Sequence, residues 1–174
     1  AVAPIYAKYG YPQVMGTAGS DKMEEMVAKF PTMFFFLAKN ADQSKALVDM
    51  MAAAKKDGKI NDKVALFIVQ APFGQEYIAS LKPALAAGGF NIAYEAVYDA
   101  KASDLSTQIK AAKATGPDTM IALSYPPDTF MLTEQSAAND FNPKLKFLGV
   151  GTAFPSYKGK FGDKVNGILG LGGW

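Results

Sequence analysis

Four short stretches carry the residue types from which a binding site can be made: Gly16-Thr17-Ala18-Gly19-Ser20, Pro72-Phe73-Gly74-Gln75, Ser124-Tyr125 and Thr152-Ala153-Phe154. Thr17, Ala18, Gly19 and Ser20 offer hydroxyls and backbone N–H groups, and Gly16 and Gly19 permit positive φ. Phe73, Tyr125 and Phe154 offer aromatic area, and Thr152 adds a hydroxyl. Polar donors for a head group and aromatic walls for a body suit a small amphipathic ligand. The plainer alternative is that Phe73 and Tyr125 are rim or core aromatics. Three such loops at one sheet edge count against it.

Covalent and proton-transfer chemistry has little to work with. The chain contains neither Cys nor His. That removes thiol nucleophiles, disulfides, imidazole bases and every zinc set built on those residues. No G-x-x-x-x-G-K-[ST] and no G-x-S-x-G occurs. Gly149-Val150-Gly151 lacks the third glycine of a dinucleotide fingerprint. Asp99, Asp104 and Asp118 flank element junctions, where capping and solvation account for carboxylates. Glu24-Glu25 and Lys55-Lys56 read as solvated faces. An enzyme working through carboxylates alone, with Mg²⁺, stays open as an alternative, and no cofactor is implied.

Alternating elements must position these loops. Val64-Ala65-Leu66-Phe67-Ile68-Val69 reads as a buried strand, followed by a loop from Gln70 to Phe73 and a helix opened by Gly74. A strand over 90–98 follows the Gly88-Gly89 stop. This β–loop–α–β unit belongs to parallel sheets, whose ligands bind beyond the strand C-termini. Upstream, residues 1–9 read as a helix end stopped by Gly10, followed by a short strand at 12–15. A strand at 33–38 leads to a helix over 41–56, where Leu47, Met50, Met51 and Ala54 form one stripe. Downstream, a helix with Leu105, Ile109 and Ala112 precedes a strand at 119–123. A helix at 128–139, a strand at 145–150 and a last strand at 167–171 complete the pattern. Pro83 predicts a kink in the helix over 74–87. The alternation argues for an α/β fold with a doubly wound parallel sheet.

The 174 residues suffice for one well-cored domain, and 49% are hydrophobic. A net charge of +2 gives no reason to expect nucleic acid or a membrane surface. Ala1-Val2-Ala3 carries no basic region or long apolar run of a signal peptide. Both ends read as interrupted elements, so a fragment of a longer protein is expected.

In order and spacing, the chain resembles the type I periplasmic solute-binding proteins of ABC transporters, in the branch that binds branched-chain amino acids. The residues that carry the resemblance are Tyr11-Pro12-Gln13 before the Thr/Ala/Gly/Ser loop and Lys63-Val64-Ala65 leading to Phe73-Gly74-Gln75. They continue with Asp104-Leu105-Ser106, Pro117-Asp118 entering a strand, Tyr125 after it, and Gly167 before the final strand. The resemblance implies two α/β lobes that close on a ligand. Residues 1–30 would end a first-lobe portion, with its ligand loop at 16–20. Residues 31–174 would form an incomplete second lobe. It further implies a periplasmic location, a membrane permease as partner, an intact monomer and no enzymatic activity. A ligand-sensing domain of a receptor or transcriptional regulator is the alternative within the same fold.

Carried over by residue, the loop that holds the ligand carboxylate falls on Thr17, Ala18, Gly19 and Ser20. The aromatic of the family's Tyr-Gly pair falls on Phe73, which lacks the phenol donor. Tyr125 matches the tyrosine after the next strand. The acid that holds the ammonium of amino-acid ligands falls on Gly151, with Thr152 beside it and no acid expected nearby. A buried ammonium without a carboxylate is costly. The expected ligand is therefore a small carboxylate, with an aromatic one fitting Phe73, Tyr125 and Phe154, rather than an α-amino acid.

Overall fold

The computed structural model describes residues 2–16 and 20–172. In chain order the elements begin with helix α1 (Ala3–Lys8), strand β1 (Gln13–Met15), α2 (Met23–Lys29), β2 (Met33–Phe35) and α3 (Asn40–Lys56). They continue with β3 (Lys63–Val69), α4 (Pro72–Ala87), β4 (Asn91–Tyr98), α5 (Ser106–Ala114) and β5 (Thr119–Leu123). Last come α6 (Pro126–Ala138), β6 (Leu145–Leu148) and α7 (Pro155–Phe161).

The main sheet is four-stranded and wholly parallel, in the order β4-β3-β5-β6. Its central strand explains the unbroken apolar run at 64–69. Val64, Leu66 and Ile68 face one core with Leu47, Val48 and Met51 of α3 and Tyr77, Leu81 and Leu85 of α4. Ala65, Phe67 and Val69 face the other, with Ile109 and Ala112 of α5 and Leu132 of α6. A strand covered on both faces needs apolar residues at every position, not at alternate ones. The crossover from β3 to β4 runs one way along the sheet, and those from β4 to β5 and β5 to β6 run the other. Right-handed crossovers in opposite directions put their helices on opposite faces. The result is the doubly wound α/β sheet expected from the alternation.

Several local expectations shift. The helix expected from Gly74 starts at Pro72, and the one expected from Asp128 starts at Pro126. Proline at the first helical position has no N–H to leave unpaired, and its φ already suits a helix. Pro83 leaves α4 unbroken, and both Pro83 and Ala79, whose carbonyl loses its helical donor, are exposed residues. The strand expected at 145–150 ends at Leu148. The last expected strand shrinks to a bridge between Phe147 and Leu169, extended by Leu171 N–H donating to the Gly149 carbonyl at 3.1 Å.

The strand expected at 33–38 spans only 33–35 and does not join the main sheet. β2 pairs in parallel with β1, Gln13 opposite Met33 and Met15 opposite Phe35. A boundary at 30/31 would divide this small sheet, whose pairing holds residues on both sides of it together. Its surroundings leave large apolar side chains uncovered, among them Ile5, Tyr9, Tyr11, Val14 and Phe34, each more than half exposed. Asp21 ties this part to the main one: it accepts from Ala41 N–H at 2.8 Å, in the first turn of α3, and from the Ser80 hydroxyl on α4.

Candidate functional site

β3 and β5 are neighbours whose following helices depart to opposite sides, so a crevice opens between their C-terminal ends. Ligands of open α/β sheets bind at such a switch point. Phe73 enters it from the first turn of α4, and Tyr125 from the residue before α6. Their ring centroids lie 5.6 Å apart at an interplanar angle of 41°. Phe73 also meets Tyr77 edge-on at 5.8 Å. It packs against both cores, which holds one wall of the crevice.

Gly74 is what lets α4 sit so low. A Cβ there would lie 2.3 Å from the Val69 carbonyl oxygen and 3.2 Å from Ile68 and Val69 side-chain carbons. The helix therefore starts directly on the end of β3, after only Gln70 and Ala71. That close approach fixes Phe73 beside Tyr125.

The crevice widens into a cleft of about 1000 Å³. Tyr125 and Pro126 line it from α6, and Val150, Ala153 and Phe154 from the segment after β6. Gly16, Phe36, Leu37 and Ala38 line it from the small-sheet side, with Asn40 and Gln43 of α3 and Gly170 to Gly172 completing it. From α4 come Phe73 and Glu76, the latter the sole charged residue among these lining residues. The chain contains no arginine, so no guanidinium fork is available for an anion.

The expected site residues have different fates. Phe73, Tyr125 and Phe154 come together around the cleft, with Tyr125 and Phe154 36% and 49% exposed. Thr152 does not line it. Its hydroxyl donates to the carbonyls of Leu148 and Gly149, both at 3.2 Å. Ser124 also turns inward, fully buried, its hydroxyl 2.7 Å from that of Thr129. Ser20 reaches the cleft's edge, where its hydroxyl donates to the Glu76 carboxylate. Thr17, Ala18 and Gly19 lie outside the described residues.

Glu76, an acid that the sequence reading did not mark, lines the cleft. It sits one helical turn beyond Phe73, on the same face of α4. That i, i+3 spacing was the available signal, once the helix was known to include Phe73. Gly151, matched to the family's acid, is buried, and a Cβ there would lie 2.5 Å from the Cβ of Thr129. Thr129 fills the space an acid would need. Asn40 is a further residue that spacing alone did not mark. It lines the cleft at 3% exposure, with no side-chain hydrogen bond to another described residue.

Behind Tyr125, Asp128 in the first turn of α6 accepts from the buried Tyr98 hydroxyl. Burial is the main cause that holds the Asp128 carboxyl above its ordinary range, against the hydrogen bond from Tyr98. Burial, with the hydrogen bond to Asp128 and its charge, also pushes the Tyr98 phenol upward. The carboxylates at element junctions serve turns and local pairing. Asp99 accepts from Lys101 N–H at 2.7 Å and Asp104 from Ser106 N–H at 2.9 Å. Asp118 accepts from Asn61 N–H at 2.9 Å and pairs with Lys144 at 3.0 Å. Among the described residues no group of three or more His, Cys, Asp or Glu could hold a metal ion.

A family model described as periplasmic binding protein matches residues 1–174. No curated protein matches the chain. Among solved structures, the leucine binding protein LivK from Thermotoga maritima is 18% identical with a TM-score of 0.77, covering 97% of this chain and 46% of that one. A periplasmic binding protein type 1 from Bordetella pertussis is 18% identical with a TM-score of 0.76, covering 97% and 45%. A solute binding protein of an ABC transporter from Rhodopseudomonas palustris, in complex with 3,4-dihydroxy benzoic acid, is 22% identical with a TM-score of 0.65. That match covers 80% of this chain and 36% of the other. The chain thus spans less than half the length of these structures.

Proposed function

The chain belongs to the periplasmic binding protein family, and on that premise we propose that it forms part of the substrate-binding component of an ABC transporter. Its ligand is a small organic solute bound between two lobes: a carboxylate with an aromatic body, rather than an α-amino acid. The observation that carries this reading is the pair Phe73 and Tyr125, 5.6 Å apart at the switch point of the sheet and opening on the cleft. Aromatic faces supply area at low entropic cost, as a flat apolar body requires. Gly151, closed by Thr129, offers no acid where amino-acid binders carry one. The Rhodopseudomonas palustris protein solved with 3,4-dihydroxy benzoic acid adds a precedent in the same fold.

In this reading the protein performs no chemistry. Phe73, Tyr125 and Phe154 are the walls, and the loop Thr17-Ala18-Gly19-Ser20 borders the ligand from the facing lobe. Thr152 supports the segment that carries Phe154. The first lobe runs through β2 to about residue 36, and the uncovered apolar side chains around the small sheet support its belonging to a larger lobe. Closure on the solute is read by a membrane permease on the periplasmic side, and the intact receptor is a monomer.

Calorimetric titration of the longest natural polypeptide that contains these residues tests the reading. Benzoate-type acids are expected to bind and leucine to bind weakly or not at all. Tight binding of leucine with no binding of the aromatic acids would overturn it.

A further inference from the structure

Glu76, the one charged residue among the described residues that line the cleft, is placed where the family resemblance expects the opposite chemistry. A ligand carboxylate at the 17–20 loop would need donors. Ser20, at the end of that loop, already donates its hydroxyl to Glu76, 56 residues further on. Glu76 has no lysine partner among the described residues. An ionised carboxylate accepts only, with about four lone-pair sites on two oxygens, so one hydroxyl leaves capacity unused. An anion brought to this end would meet a negative charge in a partly desolvated cleft, where like charges repel more strongly than in water.

Asn40 adds a polar group from the neighbouring helix. It lines the cleft at 3% exposure, without a side-chain hydrogen bond to another described residue. Its amide can accept or donate, so the direction is set by Glu76. An acid with spare acceptor capacity suits a ligand that brings a donor.

We infer that Glu76 is the specificity-determining residue of this cleft, and that the solute carries a hydrogen-bond donor, a hydroxyl or an ammonium, which Glu76 accepts at the Ser20 end. This rests on the solute-receptor reading and deepens it. For an aromatic acid the donor is a ring hydroxyl remote from the carboxylate, so the carboxylate lies away from Ser20. The orientation carried over from the family is then reversed for this chain.

Calorimetry on the same polypeptide, with benzoate, 4-hydroxybenzoate and leucine, tests this in the parent and in Glu76→Gln. Gln keeps the shape and one acceptor while removing the charge. A hydrogen bond to a charged acceptor is expected to favour 4-hydroxybenzoate over benzoate by about 10- to 100-fold in the parent. In Glu76→Gln that preference should fall to about 3-fold or less, chiefly through weaker 4-hydroxybenzoate binding. The parent comparison needs no variant, and thermal unfolding of Glu76→Gln reports whether it is folded. Equal affinity of the parent for the two benzoates, or a preference unchanged by Glu76→Gln, overturns the role of Glu76 and leaves the receptor reading standing. Leucine binding that Glu76→Gln removes, with no benzoate bound, supports Glu76 with ammonium as the donor and overturns the aromatic acid. Binding of none of the three overturns both.

Discussion

Replacing Gly74 by Ala sets two effects of opposite sign against each other. In a helix interior alanine is favoured over glycine by about 1 kcal/mol, and Gly74 lies within α4. Against this, the new Cβ would sit 2.3 Å from the Val69 carbonyl oxygen, where ordinary contact begins at 3.4 Å. The helix or the strand end must give by roughly 1 Å. The strand end cannot give easily, since Val69 pairs with Tyr98 of β4, Ile68 before it pairs with both β4 and β5, and the Val69 carbonyl accepts from Ala71 N–H at 2.8 Å. Overpacking costs about 1–3 kcal/mol, and a clash with fixed backbone belongs at the upper end. The net expectation is a loss of about 2 kcal/mol, or a melting temperature lower by about 4–8 °C for a chain of this size. Gly159→Ala is the control. Gly159 is exposed in α7, and a Cβ there meets nothing within 4 Å, so propensity alone acts and stability should rise by up to about 1 kcal/mol. Urea denaturation followed by far-ultraviolet circular dichroism measures both. If Gly74→Ala is as stable as the parent, the close approach of α4 to β3 is wrong, and with it the reason for the position of Phe73.

Two further expectations concern buried polar groups. Tyr77 is fully buried, and its hydroxyl lies beside that of Ser44 without the geometry of a hydrogen bond. Tyr77→Phe should therefore stabilise by about 1 kcal/mol, and a drop in stability would reveal a bond that matters. Burial, opposed by the nearness of Ser44, raises the phenol to about 12. The folded state then holds the Tyr77 proton more tightly than the unfolded one, so stability falls as pH rises from 10 towards 12. Tyr77→Phe should remove that part of the fall. Asp128 follows the same sign at lower pH. Its carboxyl is raised by burial, so the folded protein binds the proton more tightly, and stability declines as pH rises from about 4 through the raised value. Asp128→Asn should flatten that decline, and melting temperatures that run parallel in the two proteins between pH 4 and 7 would rule it out.

The order of elements around the main sheet, its parallel character and its doubly wound arrangement could all be read from the residues. Periodicity and glycine or proline punctuation are local, and a strand such as 64–69 that is apolar at every position has few alternatives to burial on both faces. Element starts were less legible at Pro72 and Pro126, where a proline reads equally as the last loop residue or the first helical one. The aromatics Phe73, Tyr125 and Phe154 were recognisable as a set because each follows a strand, and strand ends of a parallel sheet share one edge.

What tertiary structure decided was the partner of each polar group. Thr152 and Ser124 looked like ligand donors and instead bond inward, to the Leu148 and Gly149 carbonyls and to Thr129. Glu76 carried no mark in the sequence and lines the cleft, accepting from Ser20. Met33–Phe35 looked like part of the main sheet and pairs with Gln13–Met15. A short strand or a hydroxyl has several partners of nearly equal worth, and a hydrogen bond gains little net energy over one to water. Only the arrangement of distant segments selects among them. Burial pattern, set along the chain, determined the scaffold; proximity across it determined the chemistry of the cleft.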